Sequence, residues 1–250
     1  QTEKKINKFK NYKTVINGIN IHFIYEKGSG NNSKPILLSH GWPGSIIEFL
    51  EIIEKLAHPE KFGGKKEDSF DVIVPSLPGF GFSQKLSKPI GPRKMASVFN
   101  TLMTKVLGYK KYIAQGGDFG GVISTWLAYD FPKNLFGIHI NILIIRHPDG
   151  PKTLEEKKWQ ERFRNDQKIE DGYRTQQATK PKTLSYAMMD SPVGVAAWII
   201  EKMYGWSDTK NEKIESVYSK DTILSNIMIY LVTRTFYSAS LIYYGRRKEG

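Results

Sequence analysis

The sequence predicts an α/β fold: a mostly parallel sheet covered on both faces, followed by an all-helical insertion. Three observations carry this. Continuous apolar runs alternate with stretches of helical spacing. Glycine-rich loops, HGWPGS (40–45), PSLPGFGFS (75–83) and GGDFGG (116–121), fall where those runs end. From about Pro148 the strand pattern stops and only helical periodicity continues.

The elements follow in order. TVINGINIHFIYEKG (14–28) alternates apolar and polar residues around Asn17-Gly18, which predicts a β-hairpin with a tight turn. KPILLSHGWPG (34–44) is a buried strand delivering a loop, with Pro43 a candidate for a cis peptide. SIIEFLEIIEKLAHP (45–59) has helical spacing, and Ser45 can cap it. FDVIVPSLPGFGFS (70–83) is a second buried strand running into a Gly/Pro loop, and ASVFNTLMTKVLG is helical. KYIAQGGDFGGVISTWLAYDFP (111–132) reads as strand, sharp turn and helix, and LFGIHINIL (135–143) as a further strand. Beyond these, 153–174, 192–206 and 225–244 each read as one helix. Residues 1–147 are therefore expected to form the sheet domain and 148–245 a helical cap over it.

The 250 residues suffice for one large domain, or a core with an inserted cap. The absence of cysteine excludes a disulfide framework, a thiolate metal site and a cysteine nucleophile, and fits a reducing, cytoplasmic setting. No apolar run is long enough to span a bilayer, and the start lacks a signal-peptide layout. The first residue is Gln, so the chain is expected to be cut at its start. The net charge of +12 raises nucleic acid as a partner. The lysines, however, are scattered among acids, as in KKEDS, with no recognition-helix motif, so they read as a solvated surface and not as a nucleic-acid site. There is no internal repeat and no low-complexity linker.

Asp118 stands alone among Gly116, Gly117, Gly120 and Gly121, between an apolar run and a helix. A residue at the top of a sharp strand-to-helix turn needs such small neighbours. The better-known form of this turn, G-x-S-x-G, carries serine. A carboxylate in that slot needs no base to act as a nucleophile at neutral pH; it attacks an electrophilic carbon to make an ester. A turn or helix N-cap is the alternative role for the same aspartate.

Taken together, HGWPGS, PSLPGFGFS, GGDFGG, GYRTQQATKPKTLSYAMMDSPVG (172–194) and SNIMIYLVTRTFYSASLIYY (225–244) resemble the microsomal-type epoxide hydrolase family of the α/β-hydrolase superfamily, which includes juvenile hormone and xenobiotic epoxide hydrolases. The resemblance implies that Asp118 attacks an oxirane carbon of a small apolar epoxide and forms an ester that water hydrolyses to a diol. It implies an oxyanion hole from the backbone N–H groups of Trp42 and Phe119. It also implies two tyrosines serving the ring oxygen, Tyr173 and Tyr243, with Tyr244 as the neighbouring register. No cofactor or metal is implied. Phe119 departs from the tryptophan common after the nucleophile.

His40 is expected to be structural, and Asp190 to cap the helix opened by Pro192. The family's water-activating His and its acid follow the cap. None of the five histidines, at 22, 40, 58, 139 and 147, lies in that context, and no catalytic His is assigned. The last core strands are therefore expected to be missing, the sheet to have an exposed edge, and an N-terminal membrane anchor of the longer relatives stays open. The competing readings are a haloalkane dehalogenase, which needs side-chain N–H donors for halide that Phe119 does not supply, and an inactive binding protein of the same fold.

Overall fold

The computed structural model describes residues 2–142, 148–210 and 212–249. His147, the end of the strand expected over 135–143 and the expected domain boundary lie outside the described residues.

After a short helix, α1 (Thr2–Asn7), the chain forms the hairpin β1 (Asn11–Ile16) and β2 (Ile19–Glu26). Its turn places both Asn17 and Gly18 at positive φ, the conformation that matches strand twist in a two-residue hairpin. Strands β3 (Lys34–Ser39), β4 (Phe70–Pro75), β5 (Tyr112–Gly116) and β6 (Leu135–Ile140) complete one sheet of order β1-β2-β4-β3-β5-β6. The β4-β3-β5-β6 part is parallel and the first two strands join it antiparallel.

The apolar runs are continuous because both sheet faces are buried. Period-2 alternation sends Leu37 and Ile73 to one core, and Ile36, Leu38, Val72 and Val74 to the other. The first core receives Val98 and Phe99 of α3 (Pro92–Thr101), between β4 and β5, and Ile123 of α4 (Phe119–Asp130), which follows β5. The second receives Ile53 of α2 (Leu50–Ala57), between β3 and β4. At the end of the described sheet, β6 is mostly exposed, with Phe136 and Ile138 open to solvent.

Among the described residues six α-helices follow: α5 (Leu154–Glu170), α6 (Gly172–Thr179), α7 (Pro181–Asp190), α8 (Pro192–Gly205), α9 (Lys220–Thr233) and α10 (Phe236–Glu249). Among the described residues no helix is long and apolar enough to cross a membrane.

Several element boundaries differ from expectation. Residues 46–49 are a 3-10 turn before α2, though Ser45 does cap it, accepting from the Ile47 N–H. Helix α3 begins at Pro92, whose fixed φ and missing N–H suit a first helical position, and it ends in a π-helical turn over Leu102–Val106. The helix expected over 153–174 breaks at Asp171, because Gly172 opens a new helix. The one expected over 225–244 breaks at Arg234, which is left-handed at φ 52. Asp190 does not cap α8. It ends α7, and Ser191 is the cap, its hydroxyl accepting from the Gly194 N–H at 3.0 Å.

Candidate active site

Asp118 sits between β5 and α4 with φ 48 and ψ −126, a strained backbone for a non-glycine residue. The surrounding packing holds it there. A Cβ on Gly120 would lie 1.9 Å from the Ser39 carbonyl oxygen at the end of β3, and one on Gly116 would lie 2.1 Å from the Gly120 carbonyl carbon. Only glycine lets strand, turn and helix approach this closely. Although Asp118 is the N-cap residue by position, its side chain makes no cap hydrogen bond.

Instead, the carboxylate meets the HGWPG loop. The backbone N–H of Trp42 donates to Asp118 Oδ1 at 2.8 Å. The Phe119 N–H also faces the carboxylate. Burial pushes the Asp118 carboxyl above the usual range, while these two N–H groups and the positive field of Arg246 pull it back. The Trp42-Pro43 peptide is cis.

Helix α9 and the PSLPG loop hold the HGWPG loop. Asn226 Nδ2 donates to the Pro43 carbonyl at 2.7 Å, and the Tyr230 hydroxyl to the Gly44 carbonyl at 2.7 Å. His40 is buried with both ring nitrogens engaged: Nε2 accepts from the Leu77 N–H at 3.2 Å, and Nδ1 faces the Gly41 carbonyl at 3.0 Å. Burial lowers its pKa to about 4, so the imidazole is neutral and ties one loop to the other.

Over this floor lies an aromatic cluster. Tyr173, in the first turn of α6, stacks on the Trp42 indole with centroids 5.2 Å apart and 10° between planes. Tyr243, in α10, stands edge-on to Trp42 at 5.7 Å, to Phe119 at 4.8 Å and to Tyr173 at 5.7 Å. The Tyr243 hydroxyl is buried and faces the Tyr173 hydroxyl. Burial first, then the charge of Asp118, raise its pKa well above the usual phenol value; burial likewise raises Tyr173. Both phenols therefore hold their protons, as a donor must. Tyr244 faces elsewhere, with Lys248 over its ring at 5.7 Å. The structure thus gathers Asp118, Trp42, Phe119, Tyr173 and Tyr243 from four separate segments.

Asp190 takes no part in this cluster, and the described histidines have other settings. His22 pairs with Ser76 and Asn11, and His58 with Glu26, while His139 is exposed on β6. Sequence reasoning missed Glu48, whose Oε1 lies 1.4 Å from where a Cβ on Gly44 would be. Although Glu48 retains solvent access, the protein packed around its carboxyl and the charge of Asp118 push it above the usual range. Its one sequence signal is the S-x-x-E spacing from Ser45, which marks a helix start and not a site. Trp206, edge-on to Tyr173 at 5.2 Å, and Arg246, 5.9 Å above the Phe119 ring, were missed as well.

The sequence and the fold are similar to those of known proteins. Residues 34–189 match the family described as alpha/beta hydrolase fold, and residues 1–49 match the epoxide hydrolase N terminus. The "Putative epoxide hydrolase" of Stigmatella aurantiaca is 43% identical over 98% of this chain and 56% of its own length. "Epoxide hydrolase 1" of Oryctolagus cuniculus is 36% identical over 95% of this chain and 58% of its own length. The chain thus spans a little over half of these curated relatives. The crystal structure of juvenile hormone epoxide hydrolase from the silkworm Bombyx mori superposes with a TM-score of 0.86 at 32% identity, over 98% of this chain and 62% of that one. With the family match running from β3 through α7, and with an aspartate at the strand-to-helix elbow, the chain belongs to the alpha/beta hydrolase fold family.

Proposed function

We propose that this chain carries the alkylation half of an epoxide hydrolase site. The observation that supports this most is the placement of one strained carboxylate, two backbone N–H groups and two protonated phenols in a single cluster. The sheet region up to about residue 147 supplies the carboxylate and the N–H groups, and the helical cap supplies the phenols.

The Trp42 N–H fixes Oδ1, which leaves Oδ2 of Asp118 to attack an oxirane carbon. A carbon–oxygen bond forms at Oδ2 as the ring carbon–oxygen bond breaks. The departing oxygen accepts a proton from Tyr173 or Tyr243, so the alkoxide is never left bare. The ester carbonyl keeps Oδ1 against the Trp42 and Phe119 N–H groups. Those donors then face the oxygen that becomes negative when water adds, a placement that typically contributes about 3 kcal/mol per donor. Water activation is assigned to none of the described residues.

The substrate this site suits is a small apolar epoxide, because indole, phenyl and phenol rings surround the nucleophile. A haloalkane reading has less support. Two side-chain donors would have to cradle the halide. The Trp42 indole N–H is unpartnered, but Phe119 has no such group and the Trp198 indole already donates to Gln177 at 3.1 Å.

The test is intact-protein mass spectrometry after incubation with styrene oxide. A one-to-one adduct mapping to Asp118, absent in Asp118→Ala, is the expected result. No adduct, or one that persists in Asp118→Ala, overturns the proposal.

A further inference from the structure

Lys202 is a nearly buried lysine in the last turn of α8, with a side chain only 6% exposed. Its Nζ lies 2.8 Å from Glu170 Oε2 and 2.6 Å from Glu201 Oε1. The same Nζ stands 5.3 Å over the centroid of the Tyr173 ring. Four residues further on, Trp206 meets that ring edge-on at 5.2 Å. Residues four apart share one helix face, so the end of α8 presents a cation and an indole to Tyr173 together.

The ammonium is charged. Its burial works against the charge, but hydrogen bonds to Glu170 and Glu201 outweigh that and raise its pKa. Being in the last turn also places it at the negative end of the helix dipole. Glu170 ends α5, three residues before Tyr173, so the Glu170–Lys202 pair ties the start of α6 to α8. On the other side of the same junction, Arg174 forks onto Asp171, with Nη2 to Oδ2 at 2.8 Å. A solvated surface lysine would do none of this.

We propose that Lys202 is a positioning residue for Tyr173, its ammonium holding the phenol ring against Trp42 and polarising the hydroxyl toward the oxirane oxygen. A cation over a phenol draws electron density from the ring and makes the O–H a stronger donor. The inference rests on the reading of Tyr173 as a proton donor.

The experiment compares Lys202→Met, Lys202→Arg, Tyr173→Phe and the unaltered chain with two reagents that alkylate the same carboxylate. Styrene oxide needs a proton on its departing oxygen, whereas benzyl bromide releases bromide and needs none. In Lys202→Met the limiting rate of ester formation from styrene oxide is expected to fall roughly tenfold, at unchanged half-saturation. Its rate with benzyl bromide should stay as in the unaltered chain, and Lys202→Arg should recover most of the styrene oxide rate. Lys202→Met reacting with styrene oxide like the unaltered chain, while Tyr173→Phe is slow, overturns the role of Lys202 alone. Equal slowing with both reagents also overturns it, because that marks a loosened fold. If Tyr173→Phe is as fast as the unaltered chain, the reading of Tyr173 as donor fails first, and the role of Lys202 falls with it.

Discussion

The Trp42 backbone N–H donates to Asp118 Oδ1 at 2.8 Å, joining the loop after β3 to the turn after β5. The same bond orients the carboxylate. Asp118→Asn keeps the shape but removes the charge that the proposed alkylation requires, so ester formation with styrene oxide should fall below detection. Burial holds the Asp118 pKa above its unfolded value, so folding loses stability as pH rises from the ordinary carboxylate range through the folded pKa. Asp118→Asn should therefore unfold at higher urea than the unaltered chain at neutral pH, and the two should converge in acid.

Tyr243 is a neutral group close enough to feel the Asp118 charge. Its hydroxyl is buried beside the Tyr173 hydroxyl. Tyr243→Phe should lower the unfolding free energy by no more than about 1 kcal/mol, read from urea titration. The rate of ester formation should drop about 100-fold in the same variant, the usual share of a positioned proton donor.

Gly120 is the test of the elbow itself. An added methyl would meet the Ser39 carbonyl at 1.9 Å, and that atom belongs to the backbone of a central strand. Gly120→Ala should destabilise by about 3 kcal/mol or more, the upper end for overpacking, and abolish adduct formation. Gly18→Ala, in the open hairpin turn with nothing within 4 Å, should leave adduct formation intact.

Two buried histidines give acid sensitivity. His22 and His40 both have pKa values lowered to about 4, chiefly by burial. Unfolded imidazoles take a proton near pH 6.5, so their contribution to stability is complete above that value. It drains as pH falls from about 6.5 to about 4, by up to ~1.4 kcal/mol per pH unit for each histidine. Urea unfolding at pH 7 and pH 5 should show this loss. His22→Gln, which keeps polar atoms near Ser76 and Asn11, should flatten about half of it.

The cap of α8 separates two neighbours. Ser191→Ala should cost about 1 kcal/mol because its hydroxyl holds the Gly194 N–H, and Asp190→Ala should be close to neutral.

The sequence by itself determined the alternation of buried strands and helices, because a strand buried on both faces must be apolar along its buried stretch, as FDVIVP is at Val72, Ile73 and Val74. It also determined the elbow, since only glycines at 116 and 120 allow the approach that the structure contains. Helix ends were legible where one residue sets them, as at Ser45, and were misread where two candidates adjoin, as at Asp190 and Ser191. Tyr243 and Tyr244 could not be separated by spacing. That choice depends on the rotation of α10, which packing against Trp42 and Phe119 decides. Likewise, nothing local marks Glu48, Lys202 or Arg246 as neighbours of the site. Their positions come from long-range docking of α8 and α10 and from the fold of the HGWPGS loop. Only the tertiary structure brings segments so far apart in the chain to one carboxylate, because burial and charge act through space and leave no periodicity in the sequence.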